Sequence, residues 1–161
     1  MRPRLDYRRN PLFRAFLPAM EAAHRMIAQS SLEAKTQELV RIRVSQINGC
    51  SFCVGLHSQD ALAAGEDPQR LHLLPAWREA AVYTDAERAA LELAETATRL
   101  ADGGRVDDET WERARAHYDE TQLAALISLI AAMNAFNRIN AMVRQPASPW
   151  THPRREQASR G

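Results

Sequence analysis

Thirteen residues, Cys50 through Leu62, hold both cysteines of the chain, spaced C-x-x-C, with a histidine four positions after the second. If this stretch opens a helix, Cys50, Cys53 and His57 stand at i, i+3 and i+7, along one face. Two sulfurs one turn apart can close a disulfide. An imidazole one turn further on can move the proton that thiol chemistry requires. The helix start adds partial positive charge and free N–H groups, which lower a thiol pKa and favour the nucleophilic thiolate. Glu38 lies upstream in a separate amphipathic stretch and can bring a carboxylate to His57. It can equally form a surface ion pair with Arg41 at i+3. Asp60, three residues after His57, either orients the imidazole or solvates the helix.

Other chemistries compete for the same residues. Cys50, Cys53, His57 and Glu38 are four possible zinc ligands, although three lie on one helix face and no second C-x-x-C closes a structural site. Covalent haem needs histidine where the chain has Val54. No βαβ pattern surrounds the motif, which argues against a thioredoxin-like placement. The remaining histidines, His24, His72, His117 and His152, have no partners in sequence and default to surface or structural roles.

The elements that must position these residues all read as helices. Phe13, Phe16, Leu17, Met20, Ala23 and Ile27 recur at helical spacing after Asn10-Pro11, a turn signal, and Pro18 is expected to reset the helix start. Ser30 with Glu33 matches a capping box for a second helix, which Asn48-Gly49 ends. The cysteine helix runs from about 50 to 64, stopped by Gly65. Asp67-Pro68 opens a short helix, Thr84 with Glu87 caps another to about Leu100, and Asp107 caps one through Tyr118. A long apolar helix covers roughly 120 to 144. Its apolar residues, Leu123, Leu126, Ile127, Leu129, Ile130, Met133 and Phe136, point nearly all round, so it is central in its own bundle or buried against another subunit. The fold class is all-α, a bundle of about seven helices. An arm (1–11) precedes a single helical domain (12–145), and an irregular, mobile tail (146–161) carries Pro146, Pro149 and Pro153.

Composition narrows the partners. Lys+Arg 21 against Asp+Glu 20 leaves no global field for nucleic acid or an anionic membrane. Arg2, Arg4, Arg8 and Arg9, with Arg154, Arg155 and Arg160, read as solvated arms. No signal peptide is expected, and no window approaches eighteen apolar residues, so no membrane span is expected either. A cytoplasmic protein follows, and in a reducing compartment a close cysteine pair reads as catalytic or metal-binding.

With these residues in place, the chain resembles the carboxymuconolactone decarboxylase superfamily, in its branch with the alkylhydroperoxidase AhpD core. The segment Glu38 to Cys53, continuing to His57, carries the resemblance: a glutamate twelve residues before C-x-x-C and a histidine four after it. The segment 134–140 is similar to the end of the family's last helix. The resemblance implies that Cys53 attacks peroxide and passes through a sulfenic acid. Cys50 resolves it to a Cys50–Cys53 disulfide, and Glu38 and His57 form the proton relay. It also implies an organic hydroperoxide substrate, a dithiol reductant protein or small thiol as electron donor, no permanently bound cofactor, and a trimer-based homo-oligomer, expected as a hexamer. The chain departs from the best-known members in having Phe52 where they can carry histidine, and in having one core copy where they can carry two. The decarboxylase branch generally lacks the C-x-x-C pair. The alternatives are a thiol-disulfide oxidoreductase or redox sensor with little peroxidase activity, and a metal-binding or oligomeric scaffold.

Overall fold

The structure, a computed structural model, describes residues 2–6 and 9–147. The tail prolines Pro149 and Pro153, His152, and the arm residues Arg8, Arg154, Arg155 and Arg160 lie outside the described residues. Among these residues seven α-helices follow in order: α1 (Pro11–Ala28), α2 (Ala34–Ile47), α3 (Ser51–Ala63), α4 (Pro68–Leu73), α5 (Asp85–Thr98), α6 (Asp108–His117) and α7 (Glu120–Val143). There is no strand among the described residues.

Helix starts follow local side-chain chemistry, with two departures from the sequence reading. Asn10 is more than a turn signal: its Oδ1 accepts from Leu12 N and Phe13 N, and Pro11 takes the first helical position. The helix so begun runs through Pro18 without a restart. Pro18 is exposed there and costs one backbone hydrogen bond rather than the helix. The Ser30–Glu33 box does not form either. Ser30 Oγ accepts from Leu32 N in a local turn, which leaves Glu33 as an N-cap without a side-chain hydrogen bond. Thr84–Glu87 does form a capping box, and so does Asp119–Gln122 at the start of α7.

α2 is the central element, packed on α3, α5 and α7. Leu39, Ile42, Leu126 and Leu129 are almost fully buried, each contributing roughly 1.5–3 kcal/mol. Glu95 of α5 ties α5 to α2 and to the segment before α5 by accepting from Arg43 and from Trp77 Nε1. Burial opposes its charge, but Arg43, Trp77 and Arg78 prevail and hold its pKa at about 2.

Within the chain, α7 buries Leu123, Leu126, Leu129, Ile130 and Met133. Ile127 is 47% exposed and Phe136 half-buried. In length and mean hydropathy α7 meets the requirement for a membrane span, which the apolar-window count had not anticipated. Its buried face nevertheless carries Asn134, Asn137 and Asn140, all bonded inside the bundle. That is the pattern of a core helix.

Candidate active site

Gly49, at φ 67°, makes the turn between α2 and α3, a conformation that a side chain disfavours. It delivers Cys50 as the N-cap of α3, with its Sγ accepting from Cys53 N at 3.3 Å. Cys50 and Cys53 are joined in a disulfide, their Cα atoms 5.4 Å apart. Both are buried, but only Cys53 lines a cleft of about 700 Å³ between α1, α3 and α7. The cleft wall is mostly apolar, with Phe13 and Leu17 from α1, Phe52 and Leu56 from α3, and Phe136 and Ile139 from α7. That volume suits a small organic molecule.

The third and fourth sequence candidates meet here. Glu38 Oε2 lies 3.2 Å from His57 Nδ1, while Glu38 Oε1 accepts from Arg41 Nη1 at 2.5 Å. The relay and the ion pair, alternatives in the sequence, therefore coexist on the two oxygens of one carboxylate. The pair is not a surface one, since Arg41 is 3% exposed. Burial works against the Glu38 charge, but the His57 hydrogen bond and Arg41 outweigh it and hold the carboxyl below its ordinary range. A carboxylate can only accept, so Nδ1 carries a proton, and in the neutral form of the ring the lone pair lies on Nε2. Asp60 Oδ2 stands 3.9 Å from the same Nδ1 and is largely exposed, so orientation of the ring falls to Glu38. Partial burial and the Glu38 charge push the Asp60 carboxyl up.

Two further residues belong to the site. Asn140 Nδ2 donates to Cys53 Sγ at 3.2 Å. One and two turns earlier on α7, Asn48 Nδ2 donates to the Oδ1 atoms of Asn137 and Asn134, both at 3.0 Å, and Asn137 Nδ2 donates to Ser45 Oγ at 3.1 Å, which ties this face of α7 to α2. His24 is not a bystander either. It lines the cleft, and its Nε2 accepts from Arg41 Nε at 3.0 Å. Both residues leave a trace in the sequence. His24 falls on the apolar stripe of Phe13, Leu17, Met20 and Ile27, and three asparagines spaced by three interrupt an otherwise apolar helix. As for metal, no group of three His, Cys, Asp or Glu side chains among the described residues is arranged to hold an ion.

Residues 11–96 match the family model described as the carboxymuconolactone decarboxylase family. The uncharacterized protein YdfG of Bacillus subtilis (strain 168) is 48% identical over 121 residues, 74% of this chain and 82% of its own length. Among solved structures, ATU0492 of Agrobacterium tumefaciens, of unknown function and described as a candidate antioxidant defence protein AhpD, superposes with a TM-score of 0.84. It is 32% identical, over 92% of this chain and 100% of its own. The debrominase Bmp8, solved with 2,3,4-tribromopyrrole, shares the fold at a TM-score of 0.72 and 19% identity, over 85% of this chain and 75% of its own.

Proposed function

The chain belongs to the carboxymuconolactone decarboxylase family, and on that premise we propose that it is a thiol-dependent reductase of organic hydroperoxides. The observation that carries this reading is the placement of the disulfide. Of the two bonded sulfurs, Cys53 alone lines the apolar cleft, with His57 one turn further along the same helix. In the reduced protein the Cys53 thiolate attacks the terminal hydroperoxide oxygen. An S–O bond forms, the O–O bond breaks, and the departing alkoxide takes a proton to leave as the alcohol. The Cys50 sulfur then attacks the Cys53 sulfenic acid, hydroxide departs with a proton as water, and the disulfide seen here results. An external dithiol returns both thiols by exchange. Glu38 holds the His57 tautomer that accepts a proton at Nε2, which makes His57 the carrier of the thiol proton to the leaving oxygen.

The burial of both sulfurs favours a small organic oxidant and a small dithiol over direct docking of a large protein disulfide. The competing reading, a thiol-disulfide oxidoreductase with little peroxide turnover, draws on Phe52, which places no proton carrier beside Cys53. We place the protein in a reducing compartment, the cytoplasm. We also propose a trimer-based homo-oligomer, supported by the apolar surface that Leu12, Phe16 and Met26 leave on α1. The deciding experiment is consumption of cumene hydroperoxide by the dithiothreitol-reduced protein, wild type against Cys53→Ser. Consumption that depends on Cys53 supports the reading. Rapid disulfide exchange without peroxide consumption selects the competitor.

A further inference from the structure

The Glu38–Arg41 ion pair serves two imidazoles, and it sets them in opposite senses. Glu38 takes the Nδ1 side of His57 and leaves that ring a lone pair at Nε2. Arg41 does the reverse to His24. Its Nε–H donates to His24 Nε2 at 3.0 Å, which a nitrogen can accept only when it carries no proton. The His24 proton must then sit on Nδ1. The guanidinium is not free to turn away, because its Nη2 donates to Gln37 Oε1 at 2.9 Å, and Gln37 Nε2 in turn donates to Leu32 O at 2.8 Å. No partner for His24 Nδ1 is found among the described residues. The ring stands edge-on to Phe136 and 6.0 Å from the His57 ring, and all three line the cleft with Cys53.

We propose that His24 is a second catalytic imidazole of this cleft, a neutral ring whose Nδ1–H donates a hydrogen bond to the oxygen that departs when Cys53 attacks a hydroperoxide. The role rests on the hydroperoxidase reading. As the S–O bond forms and the O–O bond breaks, negative charge gathers on the alkoxide oxygen. His24 stabilises that charge without giving up its proton, and the proton that completes the alcohol comes from His57, which holds the one lost by the thiol. A neutral imidazole suits such a task, being a fixed donor that neither ionises nor competes for the thiol proton. Burial, with Arg41 and His57 adding and Glu38 opposing, lowers the His24 pKa to about 4, so the ring is neutral at neutral pH. The two rings thus divide the work by tautomer, one presenting a lone pair and the other a proton.

The test compares reactions that do and do not generate an oxyanion. The reduced full-length protein is mixed with cumene hydroperoxide in single turnovers, and separately with iodoacetamide, from which iodide departs. His24→Phe keeps the ring packing on Phe136 and removes the donor. Its peroxide step is expected to slow about 10- to 100-fold, somewhat less than for a fully enclosed oxyanion donor, with alkylation unchanged. His24→Gln can still accept from Arg41 and donate into the cleft, and should recover most of the loss. Equal peroxide rates for wild type and His24→Phe overturn the proposal while leaving the hydroperoxidase reading intact. Equal slowing of both reactions overturns it too, since His24 would then act only through Arg41 and Glu38. A wild type that alkylates readily but consumes no hydroperoxide overturns the reading, and the role of His24 with it. A check independent of any variant is the ¹⁵N shift of His24 in the wild type: Nδ1 protonated and Nε2 bare support the proposal, and the opposite tautomer overturns it.

Discussion

Removing the Asn140 amide should change the acidity of Cys53 by an amount that the geometry bounds. Asn140 Nδ2 donates to Cys53 Sγ at 3.2 Å in a buried setting. A hydrogen bond to a charged group is worth about 1.5–3 kcal/mol, and one pKa unit corresponds to about 1.36 kcal/mol. Asn140→Ala should therefore raise the Cys53 thiol pKa by about 1–2 units. Because nucleophilicity rises with basicity, with a Brønsted slope of about 0.4–0.5, alkylation below both midpoints should slow only about 3- to 15-fold. Above both midpoints the variant should be the faster one. This crossing of the two pH profiles distinguishes a lost thiolate contact from general damage. Asn140→Asp keeps the shape but offers a carboxylate to the sulfur, so it should raise the pKa further than alanine does. The measurement is iodoacetamide alkylation against pH in a Cys50→Ser background, where Cys53 titrates alone. In the two-cysteine protein the same loss should lower the reduction potential by up to about 30–65 mV, since the reduced form loses its stabilising donor. An unchanged titration midpoint in both Asn140 variants would refute the reasoning.

Three further outcomes are expected. Glu38→Gln and His57→Ala should fold yet slow the peroxide step at neutral pH by ~10²–10⁴-fold; wild-type rates in both variants across pH 5–9 would remove the relay. Stability should fall on acidification in two stages. His24 binds its proton near 6.5 when unfolded but only at about 4 when folded, so stability drops as pH falls through that window; Glu95, depressed from 4.5 to about 2, extends the loss below it. Thermal melts should show His24→Phe with a flatter response between pH 6.5 and 4 than wild type, and parallel curves would contradict the shift. Sedimentation equilibrium should give a multiple of the 18.1 kDa chain, which Leu12→Glu, at a side chain 75% exposed in the single chain, should shift toward monomer without unfolding it; a wild-type monomer at micromolar concentration would end the assembly proposal. Ile130→Glu is no substitute for that test, because Ile130 is 4% exposed and a charge there should prevent folding.

How much of this was legible in the sequence depended on whether the signal was local. Asp67, Thr84 and Asp107 announce their helices because a cap is a contact within three residues of itself, and the structure finds all three in place. Ser30–Glu33 has the same pattern and fails, since the Ser30 hydroxyl reaches Leu32 N first and pattern alone cannot rank two local acceptor geometries. The cysteine pair and His57 were readable because one helix face carries them. Glu38 was readable only as a choice between Arg41 and His57, a choice that dissolves once α2 and α3 pack so that each carboxylate oxygen finds its own partner. His24 and Asn140 needed tertiary structure altogether: they lie 29 residues before and 87 after Cys53, and no spacing rule links α1 or α7 to α3. What they do share with the readable residues is a violation of pattern, a polar side chain where helical periodicity calls for an apolar one. In a core helix such a residue must find a buried partner or destabilise the fold. For Asn134 and Asn137 the partners are structural, Thr98, Ser45 and Asn48. For His24 and Asn140 they are Arg41 and the Cys53 sulfur. The same physical demand thus produces a scaffold contact at two positions and site chemistry at two others, and the difference lies only in what stands opposite.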